Sequence, residues 1–246
     1  MEGPILSVHR LCKNFGGLAA VADLSFSVQS GEALGFMGPN GAGKTTLINM
    51  ISGDFKPDSG TIKFRGKDIE GLPPHRVCGL GIGRTYQIPQ PFFKLTALQN
   101  VAVAAMYGGS LGKSQARKEA EKIIGLVGLA DKSARPAGSL EEISLKRLEL
   151  ARALAAKPTL LLIDELAGGL TEKEIPLLLD LLKEIRDLGV TILLIEHVMK
   201  VMVNAVDRII VMDGGLKIAE GRPEAVMEDR KVIEAYFGSD DAEARE

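Results

Sequence analysis

The sequence predicts an α/β fold in which an antiparallel β region precedes a core of parallel strands, with a helical segment inserted between them. Near the N-terminus, Leu24, Phe26 and Val28 alternate with polar residues, as in a strand with one solvated face. Residues 160–163 and 192–195 form continuous apolar runs, which are typical of parallel strands covered on both faces. Between the two kinds of strand, residues from about 90 to 157 show the apolar spacing of helices.

Composition narrows the classes of function. A chain of 246 residues that is 46% hydrophobic can bury a sizeable core. Its 30 Lys and Arg nearly balance 32 Asp and Glu, so nucleic acid is not the expected partner. Cys12 and Cys78 fit neither a metal-ligand spacing nor a disulfide framework, which favours the cytosol. The sequence predicts neither a signal peptide nor a membrane span, so any membrane role is expected through a partner.

A glycine-rich segment follows the apolar strand predicted at 33–37. It consists of Gly38, Pro39, Asn40, Gly41, Ala42, Gly43, Lys44, Thr45 and Thr46, and it fits the pattern G-x-x-x-x-G-K-[ST]. A helical stripe follows and ends near Gly53. In this order of strand, loop and helix, backbone N–H groups and the positive end of the helix can bind phosphate. We expect Lys44 to pair with the β and γ phosphates of a nucleotide and Thr45 to bind Mg²⁺.

Two carboxylates follow the buried run at 160–163. Asp164 lies where a parallel strand reaches its ligand-binding edge, which predicts a second Mg²⁺ ligand, direct or through water. Glu165 is the next residue and can orient or deprotonate the attacking water, so we predict that it is the general base. The sequence therefore predicts a Mg²⁺-dependent nucleotide hydrolase.

With these motifs in order, the chain from about Leu6 to Phe237 resembles the ATP-binding domain of ABC transporters, most of all the ATPases of branched-chain amino acid importers. The resemblance implies a P-loop NTPase with a RecA-like core. It also implies that Gln87, in the Q-loop, senses Mg²⁺ and nucleotide, that His197 contacts the γ-phosphate and that Phe15 stacks on adenine. His197 follows what the sequence predicts to be the last buried strand. Without the resemblance, Gln87 would be surface, His197 structural and Phe15 a core aromatic.

Two segments depart from the family pattern. Residues 167–171 occupy the D-loop position, but Leu166 replaces the usual proline. Residues 140–144 read Leu-Glu-Glu-Ile-Ser where the family has Leu-Ser-Gly-Gly-Gln. Glu141 would repel phosphate unless it took up a proton, and Ile143 brings bulk where the family has glycine. An alternative that does not exclude this one is an S-x-x-E capping box starting at Ser139.

The resulting prediction is one ABC ATP-binding domain over 1–246, with a helical subdomain at about 90–157 and a flexible tail at 239–246. We expect it to bind ATP and Mg²⁺ and to act at the cytoplasmic face of the membrane. The expected partners are integral-membrane permeases, a second ATP-binding subunit, favouring a heterodimer, and indirectly an extracytoplasmic solute-binding protein. The alternative is a regulatory or non-transport ABC ATPase with weak turnover.

Overall fold

The structure, a computed structural model, describes residues 3–237, and the predicted tail at 239–246 lies outside the described residues. Its strands, in chain order, are β1 (Leu6–Phe15), β2 (Leu18–Val28), β3 (Ala33–Met37), β4 (Ser59–Phe64), β5 (Lys67–Asp68), β6 (Ile82–Arg84), β7 (Leu160–Asp164), β8 (Thr191–Ile195), β9 (Arg208–Asp213) and β10 (Leu216–Gly221). Its helices are α1 (Lys44–Ile51), α2 (Pro74–Gly79), α3 (Ala97–Tyr107), α4 (Lys113–Leu126), α5 (Glu142–Ala155), α6 (Ile175–Asp187), α7 (Met199–Ala205), α8 (Pro223–Met227) and α9 (Arg230–Phe237). The described residues divide into two compact units, one formed by residues 3–74 and 191–237, the other by His75–Val190.

The first unit contains the predicted antiparallel region. β1 pairs with β2 on one side and with β4 on the other, and β5 extends the sheet beside β4. Along β2, the alternating residues Leu24, Phe26 and Val28 are 1%, 7% and 0% exposed. Burial of one face explains why the alternation predicted a strand correctly.

The first unit also contains parallel strands. β3 lies between β8 and β9 and runs parallel to both, and all five of its residues are buried. The strand before His197 is not the last buried one, contrary to the sequence prediction, because Ile209–Met212 in β9 are fully buried as well. β10 then pairs antiparallel with β9. The α/β class with antiparallel and parallel sheets is confirmed.

The second unit combines a parallel strand pair, β6 and β7, with helices. The helices α3, α4 and α5 and two short 3₁₀ turns lie within the segment predicted to be helical. α4 buries Ala120, Ile123 and Ile124, as its apolar spacing indicated. No helix among residues 3–237 is both long enough and apolar enough to cross a membrane.

The capping box predicted at Ser139 is wrong. α5 begins at Glu142 with Glu141 as its N-cap residue, and the Ser139 hydroxyl donates instead to the Pro136 carbonyl at 2.9 Å. Ser139 ends a 3₁₀ turn two residues before the N-cap position, so its side chain is out of register with the helix. A capping box does form at the start of α3, between Thr96 and Gln99.

Candidate active site

The glycine-rich loop from Gly38 to Gly43 connects β3 to α1 and has a backbone that only glycine accommodates at two positions. Gly38 has φ +144°, and an added Cβ would lie 1.9 Å from the Met212 carbonyl oxygen. Gly43, the N-cap residue of α1, has φ +100°, and its Cβ would lie 2.1 Å from the Ala20 carbonyl oxygen. Both overlaps involve backbone, so a side chain at either position forces the loop or the neighbouring strand to move.

The N-terminus of α1 suits an anion. Its N-cap residue is glycine, no side chain caps it, and its first turn contains no acidic residue. Lys44 is 6% exposed, and its Nζ donates to the carbonyls of Gly38 at 2.6 Å and Pro39 at 2.9 Å. The loop therefore surrounds a positive charge at the positive end of a helix dipole, the arrangement that phosphate-binding loops use.

Parallel pairing brings His197 to the same edge of the sheet as the loop. In the register of β3 with β8, Phe36 lies opposite Ile195, so Gly38 and His197 each follow two residues after that pair. His197 is exposed, whereas Glu196 before it is 1% exposed. Ligands of parallel sheets bind at this carboxyl edge.

Phe15 lies in the same unit, at the end of β1. The residue is 45% exposed, and its ring contacts Phe55 edge to face at a centroid separation of 5.5 Å. The alternative of a core aromatic does not hold, because nearly half of the residue is open to solvent. An exposed ring face is what base stacking requires.

The second unit brings Gln87 and Glu165 into contact. Gln87 Nε2 donates to Glu165 Oε2 at 2.6 Å. The parallel pairing of β6 and β7 produces this contact, since Thr85 N–H donates to the Leu162 carbonyl and Thr85 Oγ1 accepts from Asp164 N–H. Two predicted site residues that are 78 positions apart are thus neighbours.

Asp164 and Glu165 differ in their surroundings. Asp164 ends β7 and is 2% exposed, so its carboxylate requires nearby positive charge or donors. Glu165 is partly exposed and has φ +52°, a left-handed conformation that is unusual outside glycine. Strain of this kind persists where the surroundings hold it and is common at functional sites.

Residues 140–144, which replace the family's Leu-Ser-Gly-Gly-Gln signature and are called the signature segment, contribute two side chains to a polar cluster. Glu141 Oε2 accepts from Lys132 Nζ at 3.0 Å and from Ser144 Oγ at 3.1 Å, and Lys132 Nζ donates to Ser144 Oγ at 2.9 Å. Chiefly through Lys132, this cluster lowers the pKa of Glu141 to about 2. A depressed pKa means that Glu141 is ionised at neutral pH and loses its charge only as the pH falls toward that value. Proton uptake at neutral pH therefore does not relieve its charge.

The D-loop region and the start of α5 line an apolar cavity of about 290 Å³. Leu166, which stands in place of the family's proline, is 6% exposed and lines this cavity with Ile143 and Leu170. Lys146 Nζ also donates to the Gly168 carbonyl at 2.7 Å. The departures at 143 and 166 therefore lie together in the fold, since both side chains line the same apolar cavity.

Comparison with known proteins decides the family. The ABC transporter family matches residues 21–168, which include the glycine-rich loop, the signature segment and both carboxylates. The chain belongs to the ABC transporter ATP-binding protein family. A second family, described as branched-chain amino acid ATP-binding cassette transporter, matches residues 217–242. This ABC protein is therefore an ATPase with the predicted P-loop fold.

Relatives of this ABC ATPase align along nearly their whole length. The high-affinity branched-chain amino acid transport ATP-binding protein LivG of Escherichia coli strain K12 is 37% identical, over 97% of this chain and 99% of its own. A probable branched-chain amino acid transport ATP-binding protein LivG of Archaeoglobus fulgidus is 38% identical over 97% of each chain.

Solved structures agree with the fold. An ATP-binding cassette of an ABC transporter in its ADP conformation superimposes with a TM-score of 0.85 at 32% identity, covering 96% of this chain and all of that one. A dimeric ATP-binding cassette in a post-hydrolysis state, bound to ADP and Pi, has a TM-score of 0.81 at 25% identity, covering 89% and 98%.

Sequence reasoning missed two side chains near these motifs. Lys132, which pairs with Glu141, lies outside any motif, and nothing in its spacing points to the pairing. Tyr236 on α9 accepts a hydrogen bond from Gly38 N–H at 2.7 Å, across 198 positions of sequence. The second family matches residues 217–242, and this match indicates that the segment containing Tyr236 is characteristic of branched-chain amino acid cassettes.

Proposed function

We propose that this ABC ATPase powers the import of branched-chain amino acids or chemically similar solutes. It acts as a peripheral subunit at the cytoplasmic face of the membrane, with permeases, a second ATP-binding subunit and, indirectly, an extracytoplasmic solute-binding protein. The observation that carries this proposal is the alignment with branched-chain amino acid transport ATP-binding proteins over 97% of the chain, together with the match of its C-terminal segment to the family of such cassettes. The same alignment favours transport over the regulatory or non-transport alternative.

The site residues divide the work of hydrolysis. Gly38 to Thr46 surround the phosphates, and Lys44 exchanges its carbonyl partners for the β and γ phosphates when ATP binds. Glu165 orients or deprotonates the attacking water while Gln87 holds its carboxylate. His197 contacts the γ-phosphate, and Phe15 stacks on adenine.

Oxygen groups of the chain fit Mg²⁺. Thr45, Gln87 and Asp164 supply a hydroxyl, an amide oxygen and a buried carboxylate, the ligand types that this ion prefers. Among residues 3–237, no three His, Cys, Asp or Glu side chains group into a metal site. When bound, Mg²⁺ neutralises charge on the phosphates.

A rigid apolar segment supports a permease partner. Ile88, Phe92 and Phe93 are 72%, 51% and 54% exposed. The fully buried Asn100 holds the backbone of Phe92, because it accepts from Phe92 N–H at 2.8 Å and donates to the Phe92 carbonyl at 3.1 Å, and the Phe93 carbonyl accepts from Gly138 N–H at 3.0 Å. Exposed apolar side chains of this kind mark a surface that binds a partner. Because Gln87 directly precedes Ile88, a partner bound to this surface would lie next to a predicted site residue.

Loss of this surface is expected to release the permeases. In Ile88→Ser with Phe93→Ser, recovery of permeases with the chain from detergent-solubilised native membranes should fall at least about tenfold. Two apolar side chains that become buried when the permease binds contribute roughly 3 kcal/mol or more to the interface. The control Leu188→Ser changes a side chain of similar exposure, 59%, at the end of α6. Equal recovery of permeases with the double variant and the wild type would contradict the assignment of this surface.

The signature cluster supports pairing with an unlike subunit. In the family, a serine hydroxyl and a glycine N–H at this place hold the γ-phosphate of the ATP bound by the partner. Here Glu141 is ionised and its side chain is 62% exposed, and Ile143 packs into the apolar cavity. Two copies of this chain would form two composite sites with a repelling carboxylate, whereas a partner with an intact signature gives one working site.

Restoring the family residues is expected to raise turnover. Glu141→Ser with Ile143→Gly should increase steady-state phosphate release by the isolated chain at least about fivefold, by removing a charge that opposes phosphate. The melting temperature should fall, because glycine weakens the first turn of α5 and the loss of the Ile143 side chain enlarges the apolar cavity that it lines. The matched control is Glu142→Ser with Ile143→Gly, which removes the neighbouring charge and keeps Glu141. Equal turnover in the two double variants would refute the role of Glu141.

A further inference from the structure

Tyr236, on the C-terminal helix α9, contacts the glycine-rich loop from Gly38 to Gly43, called the phosphate loop here. Gly38, the first residue of the loop, donates its N–H to the Tyr236 hydroxyl at 2.7 Å. Both residues belong to the first unit, and Tyr236 lies within the segment matched by the second family. The hydroxyl is thus the acceptor for a backbone group at the start of the loop, where β3 has ended and pairing within the sheet no longer holds the chain.

The two peptide groups that flank Gly38 are held by different side chains. The N–H on one side bonds to Tyr236, and the carbonyl on the other side accepts from Lys44 Nζ at 2.6 Å. Glycine has less restricted φ and ψ angles than other residues, so hydrogen bonds to the peptide groups on both sides of Gly38 are needed to fix its conformation. When Lys44 turns to a nucleotide phosphate, the Gly38 carbonyl loses the hydrogen bond from Lys44, whereas the hydrogen bond from the Gly38 N–H to Tyr236 remains.

Other groups from the C-terminal part of the chain also lie against the phosphate loop. The Met212 carbonyl at the end of β9 closes one side of Gly38, and Gly215 N–H, from the β9–β10 turn, donates to the Ala42 carbonyl at 3.2 Å. α9 buries Val232, which is 3% exposed, and its first turn is closed by two backbone hydrogen bonds to the Asp229 carbonyl. The loop is therefore bound to the C-terminal part of the chain at its first and its fifth residue.

The Tyr236 hydroxyl can accept the hydrogen bond from Gly38 N–H in the same protonation state across the neutral pH range. Burial raises the pKa of Tyr236, although the hydrogen bond from Gly38 acts in the opposite direction. The hydroxyl consequently stays protonated near neutral pH, and an uncharged acceptor gives the same hydrogen bond throughout that range.

We infer that Tyr236 is a positioning residue for nucleotide binding, whose hydroxyl keeps the phosphate loop in its binding conformation after Lys44 has moved to the phosphates. This inference rests on the proposed role of the loop in binding ATP. It gives the C-terminal segment a specific task in the ATPase cycle, and it means that anything that displaces α9 would weaken nucleotide binding.

The test is Tyr236→Phe in the full chain, which removes one oxygen and keeps the ring. The KM for ATP should rise about five- to tenfold while kcat stays within twofold of the wild type, because an unsatisfied N–H weakens the loop without touching the reacting groups. Tyr107→Phe makes the same chemical change at an 80% exposed tyrosine and should leave both constants unchanged. A KM within twofold of the wild type, or an equal rise in Tyr107→Phe, would overturn the inference.

Hydrogen exchange separates this result from a general loss of stability. In the nucleotide-free wild type, the Gly38 amide should exchange at least about tenfold more slowly than in Tyr236→Phe, with the amides of β8 unchanged between the two proteins. Equal protection of Gly38 in both proteins would show that the hydroxyl does not hold it. Failure of the wild type itself to bind ATP would instead refute the proposed function of the loop, which is a different outcome.

Discussion

Glu165→Gln is expected to reduce ATP turnover by about 10²- to 10⁴-fold, the contribution of a positioned general base. The amide is nearly the same size as the carboxylate, and it can still contact Gln87, which lies 2.6 Å from the present carboxylate oxygen. Binding of ATP should therefore survive while hydrolysis stops. The variant should accumulate with ATP bound and should dimerise, either with itself or with its partner subunit.

Single-turnover phosphate release and the mass of the ATP-bound species together check this expectation. The matched control is Glu172→Gln, the same change at an exposed residue in the segment before α6. Turnover in Glu165→Gln that equals that of the control would refute the assignment of the general base. Lost ATP binding would show that Glu165 acts on the loop or the fold instead.

Gly43→Ala is expected to have the second large effect. The added methyl group would meet the Ala20 carbonyl oxygen at 2.1 Å, and alanine would have to adopt φ +100°. Strain at such a position costs about 1–3 kcal/mol, and the backbone overlap adds to it. The N-terminus of α1 must therefore shift, so the Kd for ATP should rise by at least about tenfold.

A glycine elsewhere separates strain from overlap. Gly66 has φ +74° in the turn between β4 and β5, and an added Cβ there meets nothing within 4 Å. Gly66→Ala should thus share the conformational cost and keep the wild-type Kd for ATP, measured by calorimetric titration. If Gly43→Ala bound ATP as tightly as Gly66→Ala does, the loop would not be the nucleotide site.

Local patterns predicted most of the fold. Alternation in β2 and continuous apolar runs in β7 and β8 are direct consequences of one-sided and two-sided burial, so their sequences contain the information. The run in β9 has the same character, because Ile209–Met212 are buried on both faces, although it was not predicted as a buried strand. The misplaced capping box at Ser139 has another cause: the start of a helix depends on preceding turns that a four-residue motif does not describe.

The site was predictable where its residues sit in motifs. Gln87 and Glu165 were both predicted, and the contact between them required only that β6 and β7 pair in parallel. The partners Lys132 and Tyr236 were not predictable, because each acts through a side chain whose position depends on packing far along the chain. Hydrogen bonds of that kind have no sequence period, and a single sequence does not reveal them.

Solute uptake driven by ATP tests the central claim most directly. Permeases that co-purify with the chain, its partner ATPase and a solute-binding protein would be reconstituted in vesicles, and entry of labelled leucine, isoleucine and valine would be followed with ATP on the side of the ATPase. We predict uptake that requires ATP and falls at least about tenfold with Glu165→Gln. Steady ATP hydrolysis by the assembled complex without movement of any of the three amino acids would contradict the account.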